Sequence, residues 1–350
     1  MDEFARRLAD DRRAYIGESA ARRDLTPVII EKDFWVCWTL RRLMMCADLA
    51  GHLTFKGGTS LSKAYGIIER FSEDIDLTIS RSAPLLKDVA SPMDDDISGK
   101  ERERRIKTLK AAAKAYVDTV AMPTLAREIE AALGTVDGWN LTLDPEDKEE
   151  QTLLFNYPRT SGYGFDYGNN YGGAAENGYV KPRIKLEFGA RGDTEPFEMR
   201  PIISYLGEDF PLELPDAVAE VSTLAVERTF WEKITILHAI HHNGKLRDGM
   251  SRHYYDVLML DQAGITNQAL ARPELLVQVV HNKSLMFADK TASYETAIQG
   301  SLRLIVTAAI RDQLEQDYGA MREMFMTAPP AFEGLLDGLT AIEATINNIA

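Results

Sequence analysis

The stretch from Leu53 to Ser80 constrains this chain more than any other. The β-favouring run Leu53–Lys56 stops at Gly57-Gly58, where missing Cβ atoms let backbone N–H groups approach a ligand closely. A helix opening at Thr59-Ser60 would aim its free N–H groups and positive dipole end at the same place, the expected seat of a triphosphate.

Polar and apolar residues alternate in Asp74-Ile75-Asp76-Leu77-Thr78-Ile79. A strand there puts Asp74 and Asp76 on one face and Ile75, Leu77 and Ile79 in the core. Alternate residues on a strand face lie roughly 6.5–7 Å apart. Two carboxylates at that spacing can converge on hard cations such as Mg²⁺, with oxygens of a triphosphate completing the coordination. The arrangement describes metal-dependent nucleotidyl transfer.

A lone D-x-D is most often a solvated strand face and a lone Gly-Gly most often a turn, so order and separation carry the weight. Strand, Gly-Gly, helix and D-x-D strand is the layout of the polymerase-β-like nucleotidyltransferase fold. The fuller strings Phe55-Lys56-Gly57-Gly58-Thr59-Ser60-Leu61 and Arg70-Phe71-Ser72-Glu73-Asp74-Ile75-Asp76-Leu77 closely resemble the AbiEii/AbiGii family of nucleotidyltransferase toxins. Glu31-Lys32-Asp33-Phe34-Trp35-Val36 resembles a segment that family carries before its Gly-Gly strand. So does the pair formed by Glu232-Lys233 and, about twenty residues on, Arg252-His253-Tyr254-Tyr255-Asp256-Val257. Four separated motifs thus span roughly residues 28–260.

The fold class expected is α/β (α+β): a polymerase-β-like core with a small mixed sheet, N-terminal helices and a helical C-terminal region. Residues 1–222 would form the nucleotidyltransferase domain, with a helical insertion near 100–134, and 223–350 a helical region contributing to the site. At 350 residues and 45% hydrophobic content, the chain can bury a core of that size. With no 18-residue apolar run and no secretory signal at Met1–Arg7, it reads as cytoplasmic, without a membrane partner.

Local signals divide the rest. Helices are expected over 2–22 and from Pro27 to about Leu49, the second with Thr26 as N-cap, and over Arg105–Leu133, possible to divide at Pro123 and ending at Gly134. Ser80–Ser98 reads as loop. Strands are expected at Asn140–Asp144, Gln151–Tyr157 and Val180–Gly189, then a helix at Leu224–His242 and further helices separated at Pro273, Gly300 and Pro329-Pro330. Cys37 and Cys46 read as buried hydrophobes, and His238, His241 and His242 lack ligands at metal spacing, which leaves Mg²⁺ as the expected metal.

A net charge of −14 argues against a generic polyanion binder. From Lys100 to Tyr116, however, seven basic residues face only Glu101 and Glu103, a local balance of +5. That is either a solvated helix face with i,i+4 pairs or a phosphate-tracking face. The Gly- and Tyr-rich Pro158–Tyr179 is either a long hairpin loop or an aromatic platform for bases of a single-stranded acceptor.

In Val180–Phe188, Ile184, Leu186 and Phe188 face one way and Arg183, Lys185 and Glu187 the other. Glu187 is the best-placed third carboxylate, against the plainer reading of an ion pair with Arg183 or Lys185. By the family resemblance, Lys233 contacts nucleotide phosphates and Asp256 is a functional carboxylate near it; the plainer reading of Asp256 is an i,i+4 bridge to Arg252. Lys32 is either packing beneath the sheet or a substrate-side group.

The chemistry expected is Mg²⁺-dependent transfer of a nucleoside monophosphate from an NTP to an acceptor hydroxyl, releasing pyrophosphate. Asp74, Asp76 and Glu187 would serve the metals; Gly57, Gly58, Thr59 and Ser60 the phosphates; Arg70 and Lys233 would add positive charge. Ser72 would share the face of Asp74 and Asp76 if the strand begins by that point. The resemblance further implies the toxin of a bacterial toxin–antitoxin or phage-defence pair with a cognate antitoxin, and RNA, in particular the tRNA 3′ end, as acceptor. Two alternatives are transfer onto protein hydroxyls and a non-catalytic nucleotide-binding regulator.

Overall fold

A seven-stranded mixed sheet forms the centre of the protein, seen in a computed structural model that describes residues 1–160 and 181–348. Its strands are β1 (Leu53–Lys56), β2 (Ile75–Ile79), β3 (Asn140–Leu143), β4 (Thr152–Asn156), β5 (Ile184–Gly189), β6 (Phe197–Ile202) and β7 (Ala219–Leu224). They lie in the order β3-β4-β5-β2-β1-β7-β6. β1 runs antiparallel to β2 and parallel to β7, and β2 runs parallel to β5. This register aligns Lys56, Asp76 and Glu187 side by side across β1, β2 and β5.

The alternation read in the sequence decides which face is dry. Phe55, Ile75, Leu77, Ile79, Ile184 and Leu186 are buried in one core with Phe34, Trp35 and Trp38 of the Pro27–Met45 helix. Trp35 stacks on Tyr157 with ring centroids 5.4 Å apart, and Trp38 on Phe155 at 6.1 Å. Each such ring stabilises the fold by about 1.5–3 kcal/mol through burial alone. Thr26 caps the helix by accepting from the Ile29 N–H at 3.4 Å, and Pro27 is its first residue.

Three consecutive buried charges on that helix bind three separate segments. Glu31 accepts from the Thr160 N–H at 2.8 Å. The Lys32 ammonium lies 2.6 Å from Glu73 and donates to the Lys181 carbonyl at 2.7 Å. Asp33 pairs with Lys63 at 2.7 Å and accepts from the Tyr205 N–H at 2.7 Å. Lys32 therefore sits beneath the sheet, gripping the residue before Asp74, and the substrate-side alternative is set aside.

A second core gathers the helices Val226–Asn243, Ser251–Gln262, Ile265–Leu270, Pro273–Met286, Arg311–Ala320 and Phe332–Asn347. Leu61, from the short helix Gly57–Lys63 that follows β1, packs into this second core. The Gly-Gly segment consequently lies at the seam between the two.

Several boundaries differ from expectation. The helix expected over 2–22 is two, Asp2–Arg6 and Ala9–Arg23, and the helix from Pro27 stops at Met45, with a separate turn at Ala47–Ala50. The Gly-Gly helix starts at Gly57 itself. The insertion helix begins at Gly99, capped by Ser98, and passes through a π-turn at Val117–Ala121 into Met122–Leu133, so Pro123 breaks nothing. Gly134 ends it in the left-handed conformation with φ 71°. β5 is shorter than Val180–Gly189, and β6 and β7 lie where no strand was expected. The helix expected from Leu224 begins at Val226, because Leu224 still belongs to β7.

The basic run near residue 100 is a surface helix whose charges are used internally. Arg104 and Arg105 pair with Glu101, Lys107 with Glu103 and Lys110 with Glu149. That favours the solvated face over the phosphate-tracking one. Residues 161–179 of the Gly- and Tyr-rich segment lie outside the described residues. Cys37 and Cys46 are buried free thiols. No helix among the described residues is long and apolar enough to cross a membrane.

Candidate active site

β1 delivers Lys56 and Gly57 to the end of the sheet at which β2 begins, so the Gly-Gly turn and the paired aspartates meet. A Cβ on Gly57, whose φ is +81°, would fall 1.9 Å from Asp76 Oδ2. One on Gly58 would fall 2.6 Å from Arg70 Nη2 and 2.7 Å from Ser72 Oγ. Only glycine permits this approach. Thr59 and Ser60, fully buried, hold the turn from behind: Thr59 Oγ1 donates to the Asp74 carbonyl at 2.6 Å and lies within hydrogen-bond distance of Ser72 Oγ at 3.0 Å, and Ser60 Oγ donates to the Gly57 carbonyl at 2.9 Å.

Gly57, Gly58, Arg70, Ser72, Asp74, Asp76, Glu187 and Lys233 all open onto one cleft of about 210 Å³. Two clefts of about 740 Å³ elsewhere contain none of these residues. Asp74 lies just before β2, and Ser72 two residues earlier, so Ser72 reaches the cleft through its contacts with Thr59 and Gly58 rather than as a strand residue.

The acidic floor is electrostatically tense. Burial first, then the Glu187 carboxylate one strand away, push Asp76 up to about 7, and the same two causes raise Asp74. A cation at this point would relieve both. Yet among the described residues no three of His, Cys, Asp or Glu close on one point as a metal ligand set. The Glu187 carboxylate instead pairs with Lys185 at 2.7 Å. The donors on offer are thus two hard carboxylate oxygen groups, which suits Mg²⁺, a metal usually held by one or two carboxylates with phosphate oxygens and water.

The opposite wall rests on a buried triad. Asp256 accepts from Arg70 Nε at 2.7 Å and Nη2 at 2.9 Å, and from Lys233 Nζ at 2.8 Å. Burial raises the Asp256 carboxyl, but Arg70 and Lys233 overturn this and hold it well below the usual carboxylate range. Burial pushes Lys233 down, and it also pushes His253, whose Nδ1 lies 3.4 Å from Lys233 Nζ, well below its ordinary value. Asp256 is fully buried behind the cleft, and its partners are Arg70 and Lys233, not Arg252 four residues earlier.

A model of the AbiEii nucleotidyl transferase toxins of type IV toxin–antitoxin systems matches residues 38–338. The chain belongs to the AbiEii family of nucleotidyltransferase toxins. It is a nucleotidyltransferase and the toxin half of a type IV toxin–antitoxin system. No curated protein sequence matches it. Among solved structures it is similar to MenT4, a nucleotidyltransferase toxin from Mycobacterium tuberculosis, at 15% identity over 96% of this chain and 99% of that one, with a TM-score of 0.40.

For this AbiEii chain, sequence reasoning missed several cleft residues. Lys56, Thr229, Glu232, Ile236, Arg252 and His253 also line it. Lys56 and Arg252 were readable from their places beside Gly57 and four residues before Asp256. Thr229 and Ile236 follow from Lys233 by helical periodicity, at i−4 and i+3.

Proposed function

We propose that this toxin transfers a nucleoside monophosphate from an NTP to the 3′ hydroxyl of an RNA, in particular tRNA, and acts in the cytoplasm. The observation that carries the reading is the contact of Gly57 with Asp76 and of Gly58 with Arg70 and Ser72. It makes the phosphate cradle and the acidic pair two sides of one cleft.

In this reading the backbone of Gly57 and Gly58 binds the β- and γ-phosphates, while Thr59 and Ser60 stiffen the turn. Asp74 and Asp76 would hold Mg²⁺, which would supply charge neutralisation at the phosphates during in-line displacement. Glu187, aligned with Asp76 and tethered by Lys185, is the third carboxylate and receives the proton of the attacking hydroxyl, directly or through water. Arg70 and Lys233 present positive charge to the triphosphate, and Asp256 is a positioning residue that fixes both. Ser72 donates to a phosphate oxygen beside Gly58.

Incubation with each α-labelled NTP, Mg²⁺, a tRNA fraction and cell protein tests this. Label in RNA is expected. Label in protein alone would assign the acceptor to protein hydroxyls, and bound but untransferred NTP would make the chain a regulator. The cognate antitoxin should abolish the growth inhibition that the active toxin causes.

A further inference from the structure

On the far side of Asp76 from the Gly-Gly turn, the wall of the cleft that Lys56 lines continues into further polar side chains. Thr78 follows Asp76 by two residues on the same face of β2, roughly 6.5–7 Å further along. Its hydroxyl is buried and has no hydrogen-bond partner among the described residues. Gly192, in the connection after β5, leaves open the point at which a Cβ would sit 3.2 Å from Lys56 Nζ and 3.5 Å from Thr78 Oγ1. Lys56 thus folds back along the sheet, away from Gly57, and among the described residues its ammonium has no ion pair or hydrogen bond.

A second unpaired ammonium comes from the C-terminal helices. Asn282 donates to the Arg191 carbonyl at 3.0 Å, seating the Pro273–Met286 helix against the residue before Gly192. Lys283 follows directly; its ammonium lies 5.5 Å from the centroid of the Phe287 ring, and among the described residues it has no ion pair or hydrogen bond. Burial pushes its pKa down; Glu232 opposes this, and Lys56 and Lys233 add to it. Asp76 attracts Lys56 and Glu232 attracts Lys283, but among the described residues neither carboxylate comes within ion-pair distance, so the two ammoniums beside the unsatisfied Thr78 hydroxyl can take a further anion.

We propose that Lys56, Thr78 and Lys283, around Gly192, form a subsite for a backbone phosphate of the polynucleotide acceptor. It rests on the nucleotidyl-transfer reading above. In-line displacement requires the leaving pyrophosphate and the attacking oxygen on opposite sides of the reacting phosphorus. With the NTP phosphates at Gly57-Gly58 and the aspartates in the middle, the Lys56–Lys283 side receives the acceptor. A phosphodiester next to the attacking hydroxyl supplies such an anion, and a protein hydroxyl would bring none.

The test measures binding of end-labelled tRNA by the full chain as a function of salt, alongside inhibition of transfer by pyrophosphate. Lys283→Met is expected to weaken tRNA binding about tenfold and to flatten the log K against log salt slope by about 0.7, one phosphate of a single-stranded end. Lys283→Arg should recover most of the affinity, which a mere folding defect would not allow. Gly192→Ala, which crowds Lys56, should also weaken tRNA binding, and the pyrophosphate inhibition constant should stay put in all three. Weaker pyrophosphate inhibition with unchanged tRNA binding would assign the anion to the nucleotide and overturn the acceptor subsite, and so would no change in either. Wild-type protein that transfers label to no acceptor would be a separate failure, of the underlying reading.

Discussion

Replacing Asp256 with Asn leaves the buried shape of the triad intact and removes its only negative charge. Arg70 cannot give up its proton, so its guanidinium would remain charged, 2% exposed and without its bidentate partner. Breaking a buried pair in this way costs about 3–5 kcal/mol. Lys233 softens the loss by releasing its proton, since burial already depresses its pKa, so the lower end, about 3 kcal/mol, is expected. For a chain of 350 residues unfolding as a unit this is a fall in Tm of roughly 4 °C. The pH dependence follows from the depressed Asp256 pKa: its stabilisation is present above the unfolded-state value of about 3.9 and lost as pH falls through the folded value. Urea unfolding should therefore show the full gap between wild type and Asp256→Asn at pH 7, shrinking below about pH 4. Transfer by the folded variant should also drop, because Arg70 and Lys233 are no longer fixed. Identical urea midpoints at pH 7 would refute the triad as a structural anchor.

Asp76→Asn tests the tense floor. With Asp76 raised to about 7, metal-free wild type loses stability as pH rises from the ordinary carboxylate range through about 7, so at pH 8 the variant should melt higher than EDTA-treated wild type and gain nothing from Mg²⁺. Equal melting of the two metal-free proteins would count against it. Gly57→Ala forces a Cβ onto Asp76 in left-handed backbone, and should cost at least about 1–3 kcal/mol in thermal unfolding and abolish transfer. A stable, active variant would remove Gly57 from the cradle. Ser72→Glu adds a negative charge beside Gly58 and should depress NTP affinity in calorimetry far more than Ser72→Ala; wild-type affinity in the glutamate variant would exclude Ser72 from the site.

The unit around Leu53–Ile79 was legible because both of its signals are local: period-two alternation in β2 and glycines where backbone and carboxylate collide. Thr26 and Gly134 were legible as caps for the same reason. β6 and β7 were not. Phe197–Ile202 is an edge strand with mostly exposed side chains and a proline, so it lacks the apolar alternation that marks a strand. Ala219–Leu224 runs with no intervening turn signal into the helix that begins at Val226, and its pairing with β1 is set by tertiary contact. The roles around Asp256 were hidden for a similar reason. Its i,i+4 neighbour Arg252 is visible in sequence, whereas Arg70 lies 186 residues away and is joined to it only by folding.

The most direct measurement of the central claim is transfer of label from each α-labelled NTP to intact tRNA, to tRNA whose 3′-terminal ribose has been oxidised by periodate, and to intact tRNA with Asp74→Asn in place of the wild type. The expected result is label in intact tRNA alone, released as a single terminal nucleotide. Equal labelling of oxidised tRNA, or undiminished labelling by Asp74→Asn, would contradict the transfer of a nucleotide to a 3′ hydroxyl at this cleft.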